Sequence, residues 1–207
     1  MNTGRDIAGA LLAAFLPPEH FSPSAYSLIT KYLTTGYAHH WLDAADVVWN
    51  TGYEPPPGKA HTFDDWTSEK RLKLAFYFIN AMDSNFRNFD LCPAILNEFP
   101  AQRLIQVRDD VQEPVDWPTF WPANGGRYHG GDMVALKWDA VWCRISFIGV
   151  PVPPFQLPSG YDVEDVDRDE AEAFGLIKAG DRVPVVKMEV NLAEITKRLA
   201  ARLQQLQ

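Results

Sequence analysis

Hydrophobic positions recur with a helical period in the first half of the chain and with shorter, strand-like periods in the second. Apolar residues between Asp6 and Leu16 predict a short amphipathic helix, closed by Pro17-Pro18. Ser22 before Pro23 predicts a cap and a first helical position, where a missing N–H costs nothing. Tyr26, Ile29, Leu33, Tyr37 and Trp41 then follow at three- and four-residue spacing, the mark of one buried stripe on a helix over 24–49. Gly36 either kinks that helix or divides it in two. The proline-rich run Gly52 to Gly58 predicts a surface loop. Asp64 or Asp65 is placed to cap a further helix from Trp66 to Met82, with Leu72, Ala75, Phe76 and Ile79 as its apolar face. Cys92 to Phe99 adds a turn or two, ended by Pro100.

After Pro100 the pattern changes. Arg103 to Val107, Met133 to Leu136 and Val183 to Val190 read as short strands. Asp116-Trp117-Pro118 opens a short helix that stops at Asn124-Gly125-Gly126, and Asp139 caps a turn holding Val141, Trp142 and Ile145. Asp167 with Glu170 forms a capping box, and Gly175 supplies the left-handed stop, so a helix over 168–174 is predicted. A second box, Asn191 with Glu194, opens a last helix to Leu206. The expected fold is α+β: a mostly helical N-terminal region over 1–98, then a compact α+β region with short strands and a C-terminal helix over 99–207. The absence of a linker-like stretch makes these one continuous domain.

Composition narrows the function classes. At 207 residues the chain buries enough surface, roughly 70% of its unfolded area, to need no staple. A net charge of −8, without a Lys/Arg run, argues against general nucleic-acid binding, which needs a basic face. The two cysteines, Cys92 and Cys143, stand in unrelated contexts and are expected to be reduced thiols of an intracellular protein. The start Met1 to Asp6 is not a signal peptide, and Ile7 to Leu16 is too short to span a bilayer. No membrane association and a cytoplasmic location are therefore expected.

Candidate chemistry is sparse. His39-His40 with Asp43 offers metal-ligand types, but adjacent residues on a continuous helix point about 100° apart and cannot chelate one ion without a break. No metal and no cofactor are assigned. Arg127, His129 and Asp132, set among Gly125, Gly126, Gly130 and Gly131, form a candidate ligand loop, since glycines permit close approach to backbone; a sharp turn between two elements explains the glycines equally well. The acidic run Asp162 to Glu170 is interrupted by Val163 and Val166 and reads as a solvated helix start, not a calcium loop. No nucleophile elbow is present, and Cys143 beside Trp142 reads as a packing group. No enzyme class is positively indicated. Trp117, Trp121, Pro153, Pro154, Phe155 and Tyr161 form either an aromatic partner-binding surface or the filling of a domain short on regular structure.

The segment from Phe99 to Ile177 also carries a resemblance. Phe99-Pro100-Ala101-Gln102-Arg103-Leu104, Asp116-Trp117-Pro118, Gly126-Arg127, Met133 to Lys137, Pro153-Pro154-Phe155, Ser159-Gly160, Val163 to Asp167 and Gly175-Leu176-Ile177 resemble a stretch of the phage and prophage minor head, or head-morphogenesis, proteins of phage Mu type. Gly180 to Pro184 extends the match, and Thr34-Thr35-Gly36-Tyr37 resembles the helical segment that precedes it. The resemblance implies a non-enzymatic structural or assembly protein binding a portal or capsid protein, in the host cytoplasm or in the virion. One departure stands out. Where such proteins carry a cysteine-bearing ending after Pro-Pro, this chain continues Gln156-Leu157-Pro158, so no metal or disulfide role carries over. Two alternatives stay open: a small enzyme or toxin-related domain acting at Arg127–Asp132, and an acidic immunity or inhibitor protein meeting a basic partner.

Overall fold

A computed structural model of the chain describes residues 3–35, 39–50, 55, 57–60, 65, 68–88, 93–184 and 191–206. In chain order the elements are α1 (Thr3–Phe15), α2 (Pro23–Leu33), α3 (His40–Trp49), α4 (Glu69–Asn88), α5 (Pro93–Glu98), β1 (Ala101–Gln106), α6 (Trp117–Ala123), β2 (Tyr128–His129), β3 (Asp132–Leu136), α7 (Val141–Ile145), β4 (Tyr161–Val166), α8 (Arg168–Ala173) and α9 (Leu192–Gln205). The fold is α+β. Among the described residues no helix is long and apolar enough to cross a membrane.

Contacts gather the chain into two compact units, 1–87 with 191–207, and 88–190. This differs from the expected division near residue 98, because α9 packs with α1. The reason is its apolar stripe: Ile195, Leu199 and Leu203 recur every fourth residue and are all buried.

The first unit is helical. Ala25, Ile29 and Leu33 form the buried stripe of α2, and Leu72, Ala75, Phe76, Ile79, Met82 and Phe86 that of α4. Two side chains of α4 also complete other helices. Buried Arg71 donates from Nε to the Phe15 carbonyl at the end of α1 (2.7 Å), and Asn80 donates to the Leu33 carbonyl at the end of α2 (2.8 Å). Terminal carbonyls lack helical partners, and a cation there also suits the helix dipole. The single helix expected over 24–49 is two helices, the divided alternative; Gly36 itself lies outside the described residues. Ser68 caps α4, its Oγ accepting from the Arg71 N–H at 3.3 Å, while Asp64, one of the two expected caps, lies outside the described residues.

The second unit is built on a four-stranded antiparallel sheet of order β2-β3-β1-β4. One face carries Leu104, Ala135, Tyr161 and Val163 against Trp117, Trp121, Trp142, Ile145 and Phe155. The other carries Ala101, Val134 and Val166 against Ala171, Phe174 and Ile177. Cβ alternation along β1 thus feeds two cores from one strand. Strand β4 runs through the stretch read as a solvated helix start, which is a correction. The strand expected over 183–190 lies mostly outside the described residues.

Candidate functional site

Three places carry the sequence-level candidates, and the structure treats them differently. The aromatic group is the simplest. Trp117, Trp121 and Phe155 are buried, at 1%, 0% and 0% exposure, so they are core and not a docking surface. Pro153 is buried, and Pro154 and Tyr161 are half-buried. Three indole N–H groups have internal acceptors: Trp117 donates to Glu113 (3.0 Å), Trp121 to the Arg127 carbonyl (3.0 Å) and Trp142 to the Leu136 carbonyl (2.9 Å). Indoles with satisfied N–H groups behave as large apolar fillers.

The Arg127–Asp132 loop is the β2–β3 hairpin. His129 lies opposite Asp132, and the turn is Gly130-Gly131, both at positive φ (61° and 98°), the backbone of a two-residue hairpin turn. Gly126 is demanded by packing, since a Cβ there would fall inside the Trp121 ring. The hairpin register sets His129 and Asp132 side by side on one sheet face, but each side chain is already engaged structurally. Arg127 is exposed, His129 packs its ring on Phe174 (5.8 Å between centroids), and Asp132 is an ion-pair partner of Arg103 (3.1 Å).

Arg103 is the electrostatic centre of this unit. From β1 it meets Asp132 of β3, Glu164 of β4 (2.6 Å) and Glu170 of α8. These contacts hold its guanidinium above the ordinary arginine value, the Glu164 hydrogen bond being the leading cause. Asp167 Oδ1 caps α8 by accepting from the Glu170 N–H (2.8 Å), while the Glu170 carboxylate turns to Arg103. Buried Lys137 pairs with Asp165 at 2.6 Å. Glu164, Asp165 and Glu170 of the acidic run are therefore spent on cross-strand and strand–helix pairing.

Cys143 has a free, half-buried thiol whose pKa burial pushes up, the opposite of what a reactive thiolate needs. Cys92 lies outside the described residues.

The third place is a shallow groove between α2 and α3, which the sequence reading did not identify. It encloses about 480 Å³ and is lined by Ser24, Ala25, Leu28, Tyr32, Asp43, Asp46, Val47 and Asn50. Leu28 and Leu42 are 44% and 47% exposed, although both are large and apolar. The groove combines an apolar floor with two carboxylates, a chemistry that accepts an amphipathic, basic segment. The available signal was Leu28 itself, which stands outside the Ala25/Ile29/Leu33 stripe of its helix. Beside the groove, ligand atoms of His39, His40 and Asp43 lie within 4.8 Å of one another.

Comparison of the chain with protein-family models, with curated proteins and with solved structures gives no match.

Proposed function

We propose that this chain is a non-enzymatic assembly protein of the phage head-morphogenesis kind, docking a portal or inner-capsid protein through its N-terminal helices. The carrying observation is the α2–α3 groove, where exposed Leu28 lies with Asp43 and Asp46. The residues of the resemblance fill the core of the second unit: Trp117, Ala101, Val134, Phe155 and Val166 are all buried. A partner segment presenting an apolar side chain flanked by Lys or Arg meets both the groove floor and the chain's net charge of −8. The hairpin-loop alternative has less support, because Asp132 is engaged by Arg103 and the His129 ring packs on Phe174.

The test is co-purification of the tagged protein from phage-induced cells, with native mass spectrometry of the complex. The expected result is a portal or capsid protein in fixed ratio, lost on Leu28→Glu and kept on Tyr77→Glu, an exposed control on α4 (54% exposed). Retention by Leu28→Glu would move the docking site elsewhere. Recovery of a lone monomer would overturn the assembly reading.

A further inference from the structure

We propose that His39, His40 and Asp43 form a site for one divalent transition metal ion of the Zn²⁺ class at the start of α3. The difficulty with adjacent histidines is that a continuous helix splays them, and the structure supplies the break. Helix α3 begins at His40, and the His39 carbonyl accepts its opening hydrogen bonds, from Leu42 (3.0 Å) and Asp43 (3.5 Å). His39 therefore sits at the cap position, outside the helical repeat. His40 and Asp43, three residues apart, share one helix face. Their three ligand atoms lie within 4.8 Å of one another, and His39 is exposed.

Two imidazoles and a carboxylate are a nitrogen/oxygen donor set suited to Zn²⁺, with a fourth position left for water. Bonds of about 2.0–2.1 Å to a tetrahedral ion put ligand atoms about 3.4 Å apart. Loading thus requires the cluster to close by over about 1 Å, a movement within reach of one exposed side chain turning about χ1. The start of a helix carries positive partial charge, which opposes a cation. Asp43, in the first turn, offsets it.

A second observation concerns the proton on His40. Thr35 Oγ1 bonds His40 Nδ1, and the same hydroxyl donates to the Tyr32 carbonyl at 3.1 Å. With its hydrogen directed to Tyr32, the Thr35 hydroxyl is placed to accept from a protonated Nδ1, the His40 tautomer that leaves the Nε2 lone pair for a metal. An outer hydrogen bond of this kind fixes the tautomer of a metal-binding histidine. The Tyr32 ring, edge-on at 5.8 Å, holds the imidazole plane.

This inference does not depend on the docking reading, because the test contains no partner. The full chain is stripped with a chelator, then titrated with Zn²⁺ by calorimetry and with Co²⁺ by visible absorption. One ion per chain is expected, with intense d–d bands of a low-coordinate Co²⁺ site and a melting temperature that rises with Zn²⁺. Thr35→Val should weaken binding by roughly 10–100-fold, the cost of losing an outer hydrogen bond. His39→Ala and Asp43→Asn should each weaken it further than that. Metal-free His39→Ala should melt with wild type, since the side chain is exposed, which separates lost ligation from lost folding. Absence of stoichiometric binding, or one ion held with unchanged affinity by both His39→Ala and Asp43→Asn, would overturn the site.

Discussion

The sheet unit and the helical unit invert the roles that their residues suggest. In the sheet unit, tryptophans, glycines and a dense acidic run look like binding chemistry, and nearly all of it is structural. Three indoles bond internal acceptors, Gly126 clears space for Trp121, and Glu164, Asp165 and Glu170 neutralise Arg103 and Lys137. In the helical unit, ordinary amphipathic helices leave Leu28 exposed beside two aspartates and gather two histidines with one of those two, Asp43. A residue type indicates function only once its structural partners have been accounted for.

The strongest test of this contrast is Trp142→Ala. Trp142 is fully buried, stacked on Phe155 at 5.5 Å and tilted against Trp121 at 5.2 Å between ring centroids. Truncation of such a residue costs about 3–5 kcal/mol, whereas Leu28→Ala at the groove should cost under about 0.5 kcal/mol. Hydrogen exchange would localise the loss: amides of β1 and β4 should lose protection while those of α1 and α9 keep it. Equal losses from the two substitutions would abolish the distinction between filler and surface.

Next in size is Arg103→Ala. It removes the cation that bridges three carboxylates and leaves Asp132, Glu164 and Glu170 without it. Arg103 is 19% exposed and its partners 38–51%, so the loss falls between surface and buried pairs, at about 2 kcal/mol. Because the remaining defect is repulsion between accessible charges, added salt should recover part of it. A deficit in urea midpoint that salt leaves unchanged would mean Arg103 acts by packing alone.

How much was legible follows from the same physics. The caps at Ser22, Asp167 and Asn191 were readable, since each accepts from the N–H three residues on. The Gly175 stop was readable too, with φ 71° and a Leu176 N–H bonding the Ala171 carbonyl. Strand β4 was not. Asp and Glu are poor strand formers in isolation, and only pairing with Arg103 and Lys137 on neighbouring elements makes Glu164 and Asp165 acceptable there. The groove was hidden for a related reason: whether Leu28 is covered depends on where α3 lies, and its start at His40 is a helix boundary that periodicity leaves ambiguous.

The smallest effect discriminates most finely, because it concerns the one acid of β4 that is not explained by an ion pair. Asp162 lies opposite Ile105, and burial pushes its carboxyl above the usual aspartate value, opposed by a hydrogen bond from the Val163 N–H (2.8 Å). A folded pKa above the unfolded one means that the folded state favours the protonated acid. Stability is then greatest below the ordinary aspartate value, about 3.9, falls as pH rises from there through the raised folded pKa, and is flat beyond it. Asp162→Asn keeps the acceptor for Val163 and removes the charge. At neutral pH it should therefore be the more stable protein, by at most about 1 kcal/mol for a half-buried site. The gap should vanish near pH 3. Urea midpoints at the two pH values measure it directly, and an asparagine variant weaker at neutral pH would show that Asp162 has a cationic partner, placing it with Glu164 and Asp165 among the paired acids of the sheet.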